Sequence, residues 1–64
     1  MSEKYQLYKS WIDIIKTDGI NVSKWESDFV DSIDNQLESR KHRDEPLSER
    51  QAEILERIYA DKTP

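Results

Sequence analysis

The chain has no cysteine, one glycine, two prolines, one phenylalanine and one histidine. Each scarcity removes a class of chemistry. Without cysteine there is no disulfide framework and no thiolate metal site, which fits a reducing compartment. His42 alone cannot complete a zinc site, and no acidic loop has the spacing of an EF-hand. A single glycine cannot make a Gly-rich phosphate loop. No stretch approaches about 18 consecutive apolar residues, so no membrane-spanning helix is expected. No charged-then-apolar N-terminal pattern reads as a signal peptide, and a cytoplasmic location is expected. No alternating run of β-branched residues is long enough for a strand.

Catalytic parts are equally thin. A Ser-His-Asp arrangement would need His42 to find an oriented serine and carboxylate from within a polar linker. Paired carboxylates occur on polar faces, where nothing would raise a pKa for acid–base work. The expectation is therefore no enzyme, with no catalytic residue, no cofactor and no metal.

What remains is charge and periodicity. The 64 residues carry 14 acidic and 10 basic side chains, a formal net charge of -4. Leu, Ile, Val and Phe make up only about 22% of the chain, near the lower bound for a folded domain. One small domain spanning 1–64, of modest stability, is the most such a chain can form.

The breakers Gly19, Pro46 and Pro64 divide the chain into three helix-length pieces. In the first, about 3–18, Leu7, Tyr8, Trp11, Ile12 and Ile15 share one helical face. Gly19 suits a left-handed closing residue, which would bring Ile15 against Ile20 in a Schellman ending. The second piece, about 24–41, opens with Ser23 and Glu26 in a capping box. Its apolar face is Trp25, Phe29, Val30, Ile33 and Leu37, and both Trp11 and Trp25 are expected in the core. The third, about 49–61, opens with a second capping box, Ser48 and Gln51, and a weak staple between Leu47 and Ala52. Its face is Ala52, Leu55, Ile58 and Tyr59, with Ile54 at the edge. The expected fold is all-α: a small three-helix bundle with short loops, the C-terminal two helices forming a hairpin.

Three surface features are candidates for binding. Leu7 and Ile14 widen one flank of the first helix, and Tyr5 lies outside its stripe. That flank is either a broad buried stripe or an exposed partner-binding patch. Asp28, Asp31, Asp34 and Glu38 sit opposite the Trp25/Phe29/Ile33 face as an acidic ridge. The ridge reads as a solvated outer face or as a docking surface for a basic partner. Arg40, Lys41 and Arg43 flank His42 in the one basic run. They either offset the negative end of a helix dipole or touch two or three nucleic-acid phosphates, with Asp44 and Glu45 diluting their field.

The pattern Trp25-Glu26-x-x-Phe29-x-x-Ser32-Ile33-x-x-Gln36-Leu37, then Leu47-Ser48-Glu49-Arg50-Gln51-x-x-Ile54-Leu55-x-x-Ile58-Tyr59, spans about residues 25–60. It resembles a helical hairpin of small tailed-phage accessory proteins, such as the product associated with the UvsW recombination helicase of T-even phages. The resemblance implies a phage-encoded protein of the host cytoplasm that assists a DNA-processing enzyme. It brings over no catalytic or ligand residues. Three functions stay open: a non-catalytic module docking on a larger protein such as a DNA helicase; a weak nucleic-acid contact module using Arg40 to Arg43; and an acidic inhibitor of a host nucleic-acid-binding enzyme.

Overall fold

The computed structural model describes residues 3–63. Pro64, counted above among the helix breakers, lies outside them. Three helices follow in order: α1 (Glu3–Asp18), α2 (Lys24–Ser39) and α3 (Glu49–Lys62). No strand occurs among the described residues. The molecule measures 32 × 19 × 17 Å.

Local signals set the helix starts. Ser23 Oγ accepts the Glu26 N–H at 3.1 Å, and the Glu26 carboxylate accepts the Ser23 N–H at 2.9 Å. Ser48 and Gln51 repeat the arrangement at 3.1 and 3.0 Å. Each box satisfies two backbone donors that an isolated helix start leaves unpaired.

The helix ends are less regular. Gly19 does not adopt a left-handed conformation; the one residue with positive φ in this loop is Asn21, at 58°. The Gly19 N–H simply continues the helical pattern onto the Ile15 carbonyl, at 2.9 Å. The Ile20 N–H donates instead to the carbonyl of Lys62, 2.7 Å away at the end of α3. The expected Schellman ending is thus replaced by a tertiary hydrogen bond. Gly19 is required for space: a Cβ there would fall on the Ile15 carbonyl oxygen and come within 2.8 Å of Val22 Cγ2. At the far end of α2, the helix stops at Ser39 rather than near 41. Its cap is Arg40, whose N–H is shared between the carbonyls of Gln36 and Leu37.

The core is Tyr5, Ile12, Ile15, Val30, Ile33, Leu37, Leu47, Leu55 and Ile58. Every helix contributes, and so does the α2–α3 connection through Leu47. The helices run up, down and up: the start of α1 meets the end of α2 through Tyr5 and Glu38, while the ends of α1 and α3 meet at Ile20 and Lys62. Packing is most extensive between α1 and α3 and lightest between α2 and α3. Trp11 of α1 stacks on Tyr59 of α3 with ring centres 5.5 Å apart, and Tyr8 lies against Trp11 at 5.7 Å.

The C-terminal pair is joined by residues 40–48 and locked through amides. Gln36 donates to Gln51 at 2.8 Å and to the Pro46 carbonyl at 3.1 Å, and Gln51 donates back to Gln36 at 3.0 Å.

Tyr5, expected outside the stripe of α1, is buried. Tyr5 and Ile12 are seven residues apart, and Ile15 follows three later, so the three share a line along the helix. The buried face of α1 is therefore rotated away from Leu7 and Ile14. Trp25, expected in the core, is 62% exposed. It lies in the first turn of α2, roughly 110° around the helix from the centre of the Val30/Ile33/Leu37 line.

Candidate functional site

The acidic residues of α2 divide between two fates. Asp28 faces solvent with no ion-pair partner among the described residues. Asp34 instead turns towards α1. Lys9 Nζ donates to its Oδ1, and Lys16 Nζ donates to its Oδ2 at 2.8 Å. Its side chain is only 20% exposed. Lys16 also reaches Asp31 at 3.4 Å, and Lys9 reaches Glu38 at 3.6 Å. Tyr5 Oη donates to Glu38 Oε1 at 2.9 Å. Along the acidic ridge Asp31 and Glu38 stay exposed, and with the half-buried Asp34 they form one side of a charge zipper between antiparallel helices.

The electrostatics follow from this geometry. Hydrogen bonds from Lys16 and then Lys9 hold the Asp34 carboxyl below the usual aspartate range. The same bonds, with Asp34 as acceptor, raise both lysines above their ordinary value. The hydrogen bond to Glu38, aided by desolvation, raises the Tyr5 phenol. These shifts describe mutual neutralisation within the bundle. None of them prepares a group for proton transfer to a substrate.

Of the two expected apolar contacts on α1, Leu7 is 47% exposed and Ile14 is half-buried. The apolar surface missed by pattern reading lies where α1 ends and α2 begins. There Ile20 is 57% exposed, and Trp25 stacks on Phe29 with centres 5.5 Å apart and planes 13° from parallel. Phe29 is half-buried against the core, so it anchors the indole from below. The end is braced by the Ile20–Lys62 hydrogen bond and by Lys62 Nζ, 3.6 Å from Glu26. Glu26 is held below the usual glutamate range chiefly by the Ser23 backbone N–H. The signal that could have exposed Trp25 is its angular offset from Val30, Ile33 and Leu37.

Arg40, Lys41 and Arg43 lie just beyond α2, in a turn closed by the Arg43 N–H donating to the Arg40 carbonyl at 2.9 Å. Arg40 and Arg43 are exposed, and Lys41 is half-buried. None of the three has an ion-pair partner among the described residues. The structure thus brings Arg40, Lys41 and Arg43 together, joins Asp31, Asp34 and Glu38 through α1 lysines, and leaves Asp28, Leu7 and Ile14 apart from both sets.

A shallow groove of about 430 Å³ opens between the starts of α1 and α3, where Glu45, Glu49, Glu53 and Glu56 surround Tyr8. Lys4 bridges to Glu45 there at 2.8 Å, which lowers the glutamate and raises the lysine. No group of carboxylates or histidine suited to a metal ion occurs among the described residues. No helix among them is long and apolar enough to cross a membrane.

Comparison with family models, with curated proteins and with solved structures gives no match.

Proposed function

We propose that the chain is a non-catalytic accessory module that docks on a larger protein, a DNA recombination, repair or replication enzyme of the helicase class. The observation that carries this reading is the stacked Trp25–Phe29 pair, with its indole 62% exposed on a braced end of a small bundle. Tryptophan brings a large apolar area with few rotatable bonds, and such residues dominate the centres of protein interfaces. Phe29 fixes the indole, so less freedom is lost on docking. Ile20 adds apolar surface at the same end.

The class of partner rests on the resemblance of residues 25–60 to the phage accessory hairpin, which includes Trp25 and Phe29 themselves. Such a module works by binding one state of its partner better than another. The inhibitor reading draws less support, because Asp31, Asp34 and Glu38 are engaged by Lys9 and Lys16.

Calorimetric titration into a purified recombination helicase of the T-even phage type tests the proposal. Wild-type protein binds, and Trp25→Ala weakens binding at least tenfold while circular dichroism shows the helices intact. Absence of heat, or equal binding by Trp25→Ala, overturns it.

A further inference from the structure

We infer that the Arg40–Arg43 turn is a contact for the phosphate backbone of nucleic acid, set at the pole of the bundle opposite the Trp25–Phe29 pair. α2 separates the two: Trp25 lies in its first turn and Arg40 caps its last, about 22 Å apart at 1.5 Å per residue. The chain then has a protein-facing end and a nucleic-acid-facing end. This bridging role rests on the proposed docking function, whereas the phosphate contact itself does not.

Four observations favour phosphate. The described residues include ten cationic side chains, of which Lys4, Lys9, Lys16, Arg57 and Lys62 are bound in ion pairs within the chain. Of the five left over, Arg40, Lys41 and Arg43 share one turn. The carboxylates that could quench them are themselves occupied: Glu45 by Lys4, and Glu38 by Lys9 and Tyr5. Asp44 alone opposes them within the segment. Finally, the hydrogen bond from Arg43 to Arg40 closes a four-residue turn, which places the end Cα atoms within about 7 Å. That closeness keeps the cations on one short stretch of surface, where they can address neighbouring phosphates, and guanidinium forks match phosphate oxygens.

A lipid surface fits less well. The large apolar side chains that are exposed, Leu7, Ile20 and Trp25, lie outside the turn, so nothing beside the cations would enter a bilayer. The remaining acidic surface, on a chain of net charge -4, repels a polyanion and restricts its approach to this pole.

The test is fluorescence anisotropy of a labelled duplex and of a labelled single strand with the intact protein. Two or three phosphate contacts predict duplex affinity falling about 10- to 40-fold between 50 and 200 mM salt. Replacing Arg40, Lys41 and Arg43 together by Gln lowers affinity at least tenfold at 50 mM salt, with unchanged circular dichroism. A charge-matched control, Lys24→Gln with Arg50→Gln and Arg57→Gln, stays within about twofold of wild type. Trp25→Ala binds DNA as wild type does, whatever it does to helicase binding, so the two proposals fail separately. No binding at 50 mM salt, equal loss in the control, or loss on Trp25→Ala with the turn variant unaffected overturns the inference. Binding to phosphatidylserine vesicles in place of DNA overturns it as well.

Discussion

The side-chain amides of Gln36 and Gln51 exchange two hydrogen bonds, at 2.8 and 3.0 Å, between α2 and α3. Gln51 is also half of the capping box that starts α3, and Gln36 also donates to the Pro46 carbonyl. One residue pair therefore ties a helix start, a loop and a neighbouring helix together. It does so where packing between helices is lightest.

Gln51→Ala and Gln36→Ala are expected to destabilise the fold by about 1–2 kcal/mol each. Because the two amides serve each other, the double variant should lose less than the sum of the singles, by about 0.5–1.5 kcal/mol. Urea unfolding of the four proteins in this cycle measures the coupling. Strict additivity would mean that the amide pair contributes nothing beyond the cap.

The Asp34 zipper gives stability a defined pH dependence. Its folded pKa is depressed, so its contribution is fully present above the unfolded value of about 3.9 and is lost as pH falls through the lower folded value. Lys9 and Lys16 are raised, so their contribution holds below about 10.4 and is lost as pH rises through their higher folded values. Asp34→Asn should reduce stability at pH 7 by no more than about 1 kcal/mol, since the pairs are partly solvated. It should also flatten the loss below pH 4, and added salt should shrink its effect. Thermal melts from pH 3 to 7, at low and high salt, show whether it does.

Gly19→Ala is expected to cost about 1–3 kcal/mol, because the new Cβ meets the Ile15 carbonyl and Val22 and must push the loop away from Lys62. Faster amide exchange at Ile20 would accompany the loss. A neutral effect would show that the loop has room to move.

Burial separates Leu7 from Leu55. Leu7→Ala should change stability by less than about 0.5 kcal/mol. Leu55→Ala, from a fully buried position, should cost about 2–5 kcal/mol. Denaturant midpoints decide between them. A large loss at Leu7 would place it in the core and remove it as a surface contact.

The features legible in the sequence are those written locally. Ser23 with Glu26 and Ser48 with Gln51 are short-range codes, and both boxes form as written. The stripes of α2 and α3 mark Val30, Ile33, Leu37, Leu55 and Ile58 as core because each repeats at helical spacing. What pattern reading misplaces depends on how the helices rotate against one another. Tyr5 is buried and Trp25 exposed because the contact lines of α1 and α2 are offset from the centres of their apolar arcs. The Lys9–Asp34–Lys16 bridge joins residues 25 and 18 positions apart, which no local window contains. Gly19 was legible as a required glycine, yet the requirement is close approach of backbone rather than a left-handed turn.

On the proposed function, the exposed Trp25–Phe29 pair is the docking surface for a larger protein. The most direct measurement is the amide NMR spectrum of the labelled protein as purified recombination helicase is added. Shifts or broadening are expected at Ile20, Trp25 and Phe29, with Asp31 and Asp34 unmoved and the pattern abolished by Trp25→Ala. A spectrum that does not change, or one whose changes cluster on the acidic face of α2, would contradict it.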